Sequence, residues 1–285
     1  MAAGRSARNK GESDSAFRQI QDQLKWVDLI FEVRDARAPE ASRHPNSDQL
    51  FGSKPRLVIL AKEDLSDQAK VKRWLSTLSA GTGQAALALS LKLNKGRDRL
   101  ISLCLELTAA RRESLFKRGR LPRPMRACVV GMPNVGKSSL INWLIGRHKT
   151  QVGDRPGITR GKQWVRLHPQ LELLDTPGIL PPVSFSPSVA LKLALLNLLP
   201  ESAYDQEEVA RQGIAILSQL YTGALEHYKI KSEDLSLEQI ATARSCLVAG
   251  GKLDTRRAAA IFLTDLRAGR LGRITLDSPP TDLIK

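Results

Sequence analysis

The residues with the most chemical content lie between Gly131 and Ser139, in GMPNVGKSS. Gly131, Gly136, Lys137 and Ser138 fit the G-x-x-x-x-G-K-S pattern of a phosphate-binding loop. The glycines let backbone N–H groups turn inward around an anion, and a helix starting there adds its dipole. Lys137 supplies a cation for the β- and γ-phosphates of a nucleotide, and the Ser138 hydroxyl supplies a ligand for Mg²⁺. Asn134, Val135 and Ser139 complete the nucleotide-binding loop. The pattern carries meaning only between a strand and a helix. Here ACVV (Ala127–Val130) precedes it and the apolar run SLINWLI follows.

Two downstream patterns fit the same chemistry. DTPG, Asp175 to Gly178, ends the apolar run LELL. Asp175 can hold Mg²⁺ through water, and the Gly178 N–H can bond a γ-phosphate and sense its loss. RPGITR, Arg155 to Arg160, lies between the two, with Thr159 placed to close over metal and γ-phosphate. Lys137, Thr159 and Gly178 are therefore the candidate catalytic residues. Ser138, Thr159 and Asp175 are the candidate Mg²⁺ ligands.

Upstream, LVILAKEDL (Leu57–Leu65) ends an apolar run in Ala-Lys-Glu-Asp. This is one residue away from Asn-Lys-x-Asp, the sequence with which GTP-binding proteins read guanine. Asp64 can accept both donors of the guanine edge in a charge-assisted pair, and Lys62 can lay its methylenes along the ring. SLK (Ser90, Leu91, Lys92) ends the next apolar run, AALAL, and resembles the usual Ser-Ala-Lys companion, whose backbone N–H meets the guanine carbonyl oxygen. In an ordinary GTPase both signals follow the phosphate loop, whereas here they precede it. A doubly wound sheet binds ligand at the carboxyl ends of its strands in whatever order the chain visits them. The order reads as a GTPase cut between its third and fourth motifs with the old ends joined, and Arg111–Arg126 is the expected joint.

Elements must then place these residues. Short apolar runs at 27–33, 57–60, 85–89, 127–130 and 171–174 read as strands, and 67–79 and 97–110 as helices. Strands alternating with helices imply a mostly parallel α/β sheet. After PPVSFSP (Pro181–Pro187) strand signals cease and helical periodicity runs to about Leu266. The expected organisation is a disordered basic tail at 1–15, a permuted GTPase domain at 16–185 and an all-α C-terminal domain at 186–285.

Composition bounds the partners. The 285 residues carry 44 Lys and Arg against 29 Asp and Glu, a net +15, which suggests a polyanion such as nucleic acid. Aromatics are only 5% of the chain, so base stacking on a broad aromatic platform is not expected. In GGKLDTRRAAAIFLTDLRAGRLGR, Asp254 reads as an N-cap and Gly269 as a stop. Arg256, Arg257, Arg267, Arg270 and Arg273 are the candidate contacts to RNA phosphates. Cys104, Cys128 and Cys246 are too scattered for a disulfide framework and fit a reducing compartment. The most apolar stretch, from Val189, is broken by Lys192 and Asn197 and is too short to span a membrane. The N-terminus has no apolar secretory core and reads as a basic tail, with the start of an organelle transit peptide as the other reading.

Taken together, QLKWVDLIFEVRDARAP, the AKED and SLK pair, GMPNVGKSSLIN, RPGITR, LLDTPGILPP and the late GGKLDTRRAAAIFLTDLRAGRLGRITLD resemble the circularly permuted ribosome-assembly GTPases of the YlqF/RbgA type, in the TRAFAC class. The resemblance implies GTP hydrolysis to GDP and phosphate. It also implies late assembly of the large (50S) ribosomal subunit, contacts with rRNA and ribosomal proteins on the maturing particle, a cytoplasmic location and a monomer off the ribosome. It further implies that Asn134 helps hold a K⁺ ion acting as a fixed positive charge near the phosphates.

Three departures qualify this reading. Ile179 follows Gly178 where a water-orienting Gln would stand in Ras-like enzymes, which implies slow intrinsic hydrolysis. The family's early His-containing segment is replaced by GRSARNKGESDSAFRQI, so no catalytic His carries over. Ala61 replaces the base-reading Asn, a loss of about 1–2 kcal/mol, or roughly tenfold in affinity. A nucleotide-dependent RNA-binding assembly factor with little or no turnover is the alternative.

Overall fold

The computed structural model describes residues 18, 20–81, 83–119, 123–146, 164–174, 178–180, 183–230 and 235–280. Its centre is β1 (Leu29–Asp35), in which all seven residues of LIFEVRD are buried. Apolar residues alternate to the two faces, as in a parallel strand covered on both sides. Glu32 and Arg34, equally buried, pair with each other at 2.9 Å. β2 (Arg56–Ala61) and β4 (Met125–Gly131) flank β1 in parallel. β3 (Gln84–Leu89) extends the sheet beyond β2, and β6 (Leu171–Leu174) extends it beyond β4. β5 (Trp164–His168) is an antiparallel edge, and the two-residue β7 (Gly178–Ile179) also pairs with β4. The spatial order is β3-β2-β1-β4-β6-β5.

Helices cover both faces. Leu29, Phe31, Leu57, Ile59 and Val129 pack toward α3 (Arg97–Lys117) and α4 (Lys137–Ile145). On the other face Ile30, Cys128 and Val130 meet α1 (Ser47–Phe51) and the helical residues around Leu24. Val58 and Leu60 meet Trp74 of α2 (Gln68–Ser79). The Asp67 side chain caps α2 by accepting from the N–H groups of Ala69 and Lys70. Beyond the sheet lie α5 (Pro187–Leu195), α6 (Gln206–Leu220), α7 (Leu237–Ala243) and α8 (Thr255–Arg267). Asp254 caps α8 as expected, accepting from Arg257 N–H.

The expected elements recur with corrections at their ends. β1 starts two residues later than the apolar run suggests, because Asp28 turns its carboxylate inward to Arg126 N–H, Arg111 and Arg123. The helix expected to stop at Ala110 runs to Lys117, so the first seven residues of the Arg111–Arg126 joint are helical. RRESLFK contains no Gly or Pro, and the break falls at Gly119 with φ +68°. One cluster of buried side chains joins sheet residues such as Phe31 to helical residues such as Phe262 and Leu266, so no gap divides the core at the expected boundary.

After α8 the chain returns across the sheet end as an extended strap. Ile274 N–H donates to Leu65 O at 3.1 Å and Leu276 N–H to Arg37 O at 2.6 Å. The buried Asp277 accepts from Glu40 N–H, Ala41 N–H and the Lys192 ammonium at 2.9, 2.8 and 2.7 Å. Asp277→Ala orphans two backbone donors and one cation, and should cost about 2–3 kcal/mol in urea unfolding. A loss below about 1 kcal/mol would show that the strap carries little of the stability.

Candidate functional site

The carboxyl ends of β1, β2, β3 and β4 meet at one edge of the molecule, where a parallel sheet of this kind binds its ligand. The loop leaving β4 is shaped by its glycines. A Cβ on Gly131 would lie 2.5 Å from Val33 O, and Gly136 holds φ +112° immediately before α4. Asn134 also adopts a left-handed conformation, at φ +57°. Ser138 and Ser139 stand exposed in the first turn of α4. Burial pushes the Lys137 ammonium below its usual range, and its Nζ donates to Met132 O at 2.7 Å.

A cavity of about 370 Å³ lies beside this loop, lined among others by Ala61, Lys62, Asp64, Lys92, Val135 and Gly136. The AKED and SLK residues and the phosphate loop thus share one pocket despite their order in the chain. Lys62 is held at φ +62°, and Asp64 follows in the 3₁₀ turn Glu63–Leu65. The Lys62 Nζ donates to Asp35 Oδ2 at 2.8 Å and to Asn134 O at 3.1 Å, which ties the turn after β2 to the phosphate loop. Lys92 lies 3.7 Å from the Asp64 carboxylate. Leu91 lines the cavity within its own 3₁₀ turn. Ser90 is buried at the end of β3, and its Oγ has no hydrogen-bond partner among the described residues.

Several pocket residues were not anticipated. Arg37, which lines the pocket, and Asp35, with which it pairs, both come from RDARAP, a segment that no chemical motif marks. Asp35 is fully buried and accepts from Arg37 N–H, Nε and Nη2 at 3.0, 2.9 and 2.9 Å. Burial would push its carboxyl up, but the Arg37 guanidinium and the Lys62 ammonium outweigh this and hold it down at about 2. The visible signal was an acid and a base two residues apart at a strand end. From the helical part, Leu196 and Asn197 also line the cavity. Asn134 Nδ2 donates to Asn197 O at 3.0 Å.

The other candidates are less concentrated. Thr159 and Asp175 lie outside the described residues. Gly178 pairs with Val130 and Ile179 with Gly131, so β7 runs directly beside the strand that feeds the phosphate loop. Among the arginines, Arg256, Arg257, Arg270 and Arg273 are exposed, and Arg270 is paired with Asp265 at 2.6 Å. Arg267 turns inward instead. Its guanidinium donates to Ala194 O, Leu195 O and the Tyr204 hydroxyl, and it lines the pocket, so its expected place among the RNA contacts is corrected to an internal one. All three cysteines are buried and free, and burial pushes the Cys128 thiol up to about 12. Among the described residues, no group of three His, Cys, Asp or Glu gathers as a metal cluster, and no helix is long and apolar enough to cross a membrane.

A phosphate loop between strand and helix, the Asp64 carboxylate in the cavity beside it, and a sheet visited in rotated order define a circularly permuted P-loop GTPase. The family described as "50S ribosome-binding GTPase" matches residues 126–249. "Ribosome biogenesis GTPase A" of Bacillus cereus is 35% identical over 274 residues, covering 94% of this chain and 92% of the relative. GDP-bound TM YlqF and GNP-bound YlqF from T. maritima are solved structures that match with TM-scores of 0.69 and 0.67. They are 28% and 29% identical, and each match covers 92% of this chain, with 99% and 97% of the respective relative. The chain belongs to the ribosome biogenesis GTPase A family.

The Asp35 centre carries a pH dependence. A carboxyl held below its ordinary value stabilises the fold above that ordinary value, and the stabilisation is lost as the pH falls through the lowered one. Acid unfolding should therefore draw on Asp35 between about pH 4 and pH 2. Asp35→Asn should lose about 2–4 kcal/mol at neutral pH and show a shallower acid limb, read by circular dichroism. Equal acid slopes in the two proteins would contradict this assignment.

Proposed function

We propose that this GTPase acts on a precursor of the large (50S) ribosomal subunit, binding rRNA and ribosomal proteins in its GTP form and leaving after hydrolysis to GDP and phosphate. The observation that carries the guanine reading is the meeting of Lys62 and Asp64 with the phosphate loop in one cavity. Asp64 accepts the paired donors of guanine, and adenine would leave that carboxylate poorly matched. The backbone of the Leu91–Lys92 turn bonds the guanine carbonyl oxygen, and Val135, Gly136 and Ser139 border the base and the phosphates.

Ser138, with Thr159 and Asp175, would hold Mg²⁺, which neutralises charge on the phosphates. The exposed hydroxyl of Ser138 at the start of α4 fits that role. Asn134 would hold K⁺ through its side-chain oxygen, since its amide nitrogen is turned to Asn197 O. Lys137 leaves Met132 O to meet the β- and γ-phosphates. Gly178, in β7 beside the phosphate loop, bonds the γ-phosphate, and its movement tilts the helical domain that follows. Ile179 cannot orient a water, so hydrolysis is slow until the particle supplies what is missing. The exposed Arg256, Arg257, Arg270 and Arg273 contact RNA phosphates. The protein works in the cytoplasm and is monomeric off the ribosome.

Phosphate release tests this reading, with GTP or ATP, in K⁺ or Na⁺, with and without large-subunit precursors. Release should need GTP, be faster in K⁺ and rise on the particle. Equal affinity for GTP and ATP would remove the guanine reading, and tight binding without release would favour a non-hydrolysing assembly factor. Arg256→Gln combined with Arg257→Gln should lower the salt slope of RNA binding by about 1–2 units if both side chains touch phosphates.

A further inference from the structure

The joint of the rotated chain, Arg111–Arg126, carries seven Lys and Arg against one Glu, and none of them lines the cavity at the strand ends. It lies at the other end of the sheet. α3 runs back along the strands, and β4 then starts at Met125 beside the start of β1. The seven residues of β1 set Asp28 roughly 20 Å from the cavity edge.

Cations on a solvated face spread apart, whereas here they converge. The buried Asp28 holds Arg111 at 2.9 Å and Arg123 at 2.7 Å, and both guanidinium side chains stay about half exposed. Lys54 reaches the same corner and donates to Val27 O at 2.9 Å. Burial lowers its ammonium below the usual range, and repulsion from Arg111 adds to this. Three cations thus share one carboxylate, a surplus of positive charge that an anion would relieve. Arg112 and Arg118, at the same end of α3, have no ion-pair partner among the described residues. Arg111 and Arg118 lie two turns apart, about 10 Å along the helix axis, which spans more than one phosphate of a strand. Phe116 stands one turn on from Arg112, 71% exposed, and offers a face on which a base can stack. Arginines dominate the group, and their forked donors match phosphodiester oxygens in pairs.

We propose that this joint is a second RNA-binding surface, which grips the phosphates of a strand at the end of the molecule opposite the nucleotide cavity. Its choice of RNA rests on the action on a ribosomal precursor proposed above. The surface shares no residue with the arginines in and after α8, so the two groups can be removed independently.

Binding of the full chain to large-subunit ribosomal RNA, titrated against KCl, tests it. Arg112→Gln combined with Arg118→Gln should lower the salt slope by about 1–2 units, since each lost phosphate contact removes about 0.7–0.9. Arg112→Lys combined with Arg118→Lys keeps both charges and should keep the slope. Lys72→Gln with Arg73→Gln, exposed cations on α2, should leave it unchanged. A joint variant with the wild-type slope overturns the proposal, and so does an equal drop in the α2 variant, which would show bulk charge rather than a surface. If the joint variant loses binding to anionic phospholipid vesicles and keeps its RNA slope, the patch serves a membrane and the proposal fails. A wild-type chain without salt-dependent RNA binding removes the RNA reading first, and this surface with it.

Discussion

One buried carboxylate holds the nucleotide edge of this molecule together. Asp35 sits at the end of the central strand with no exposure to solvent. An uncompensated charge there would be prohibitive, so its partners are obligatory. Arg37 and Lys62 are those partners, and each uses its remaining donors elsewhere. Lys62 reaches the carbonyl of Asn134 in the phosphate loop, and Arg37 reaches the carbonyl of Arg267 at the end of α8. The turn after β2, the phosphate loop and the helical region are thus fastened to one point. The left-handed backbone of Lys62 is held there by these bonds rather than by local preference.

This arrangement explains why a rotated chain order leaves the site intact. Pocket geometry depends on which strand ends are neighbours, and β2, β1 and β4 are neighbours whatever order they are synthesised in. The order decides which segments become free to carry further structure. Here β7 beside the phosphate loop leads into the helical region after a few residues, where an unrotated chain would turn back into the sheet. The helical region packs into the same core and returns its C-terminal strap over the base-reading turn.

Much of this was legible in the sequence because the site motifs are punctuated. Gly131 and Gly136 mark a backbone that only glycine fits, and each motif ends an apolar run of strand length. The five expected strands all recur, with ends shifted by one or two residues where side chains decide. Asp28 delays β1 because its carboxylate turns inward, a tertiary fact with no local signal. β5 was missed because its edge position leaves it half-polar, and β7 because two residues carry no periodicity. Asp35 and Arg37 belong to no chemical motif, and an acid and a base at a strand end carry no local sign of burial. Only the sheet above and the strap below make that strand end an interior. Arg267 shows the reverse error. A basic residue in a basic stretch reads as surface, yet its helix position points it at the carbonyl end of α5.

The contacts between the helical region and the pocket also set how far a signal must travel. Asn197 touches the side chain of Asn134 inside the phosphate loop, Arg267 is held through its carbonyl by Arg37, and Ile274 and Leu276 bond the backbones of Leu65 and Arg37. All four contacts are made to residues that line the cavity, namely Asn134, Arg37 and Leu65. No relay through the core is needed for the two regions to be coupled. A ligand that withdraws Asn134 from Asn197, or shifts the turn at Leu65, changes bonds the helical region makes directly. Coupling is reciprocal, so a surface that grips the helical region must also alter how the pocket holds its nucleotide. The rotated chain order thus gains a short path between the pocket and the helical region, at the cost of a helical region that cannot move without disturbing the pocket.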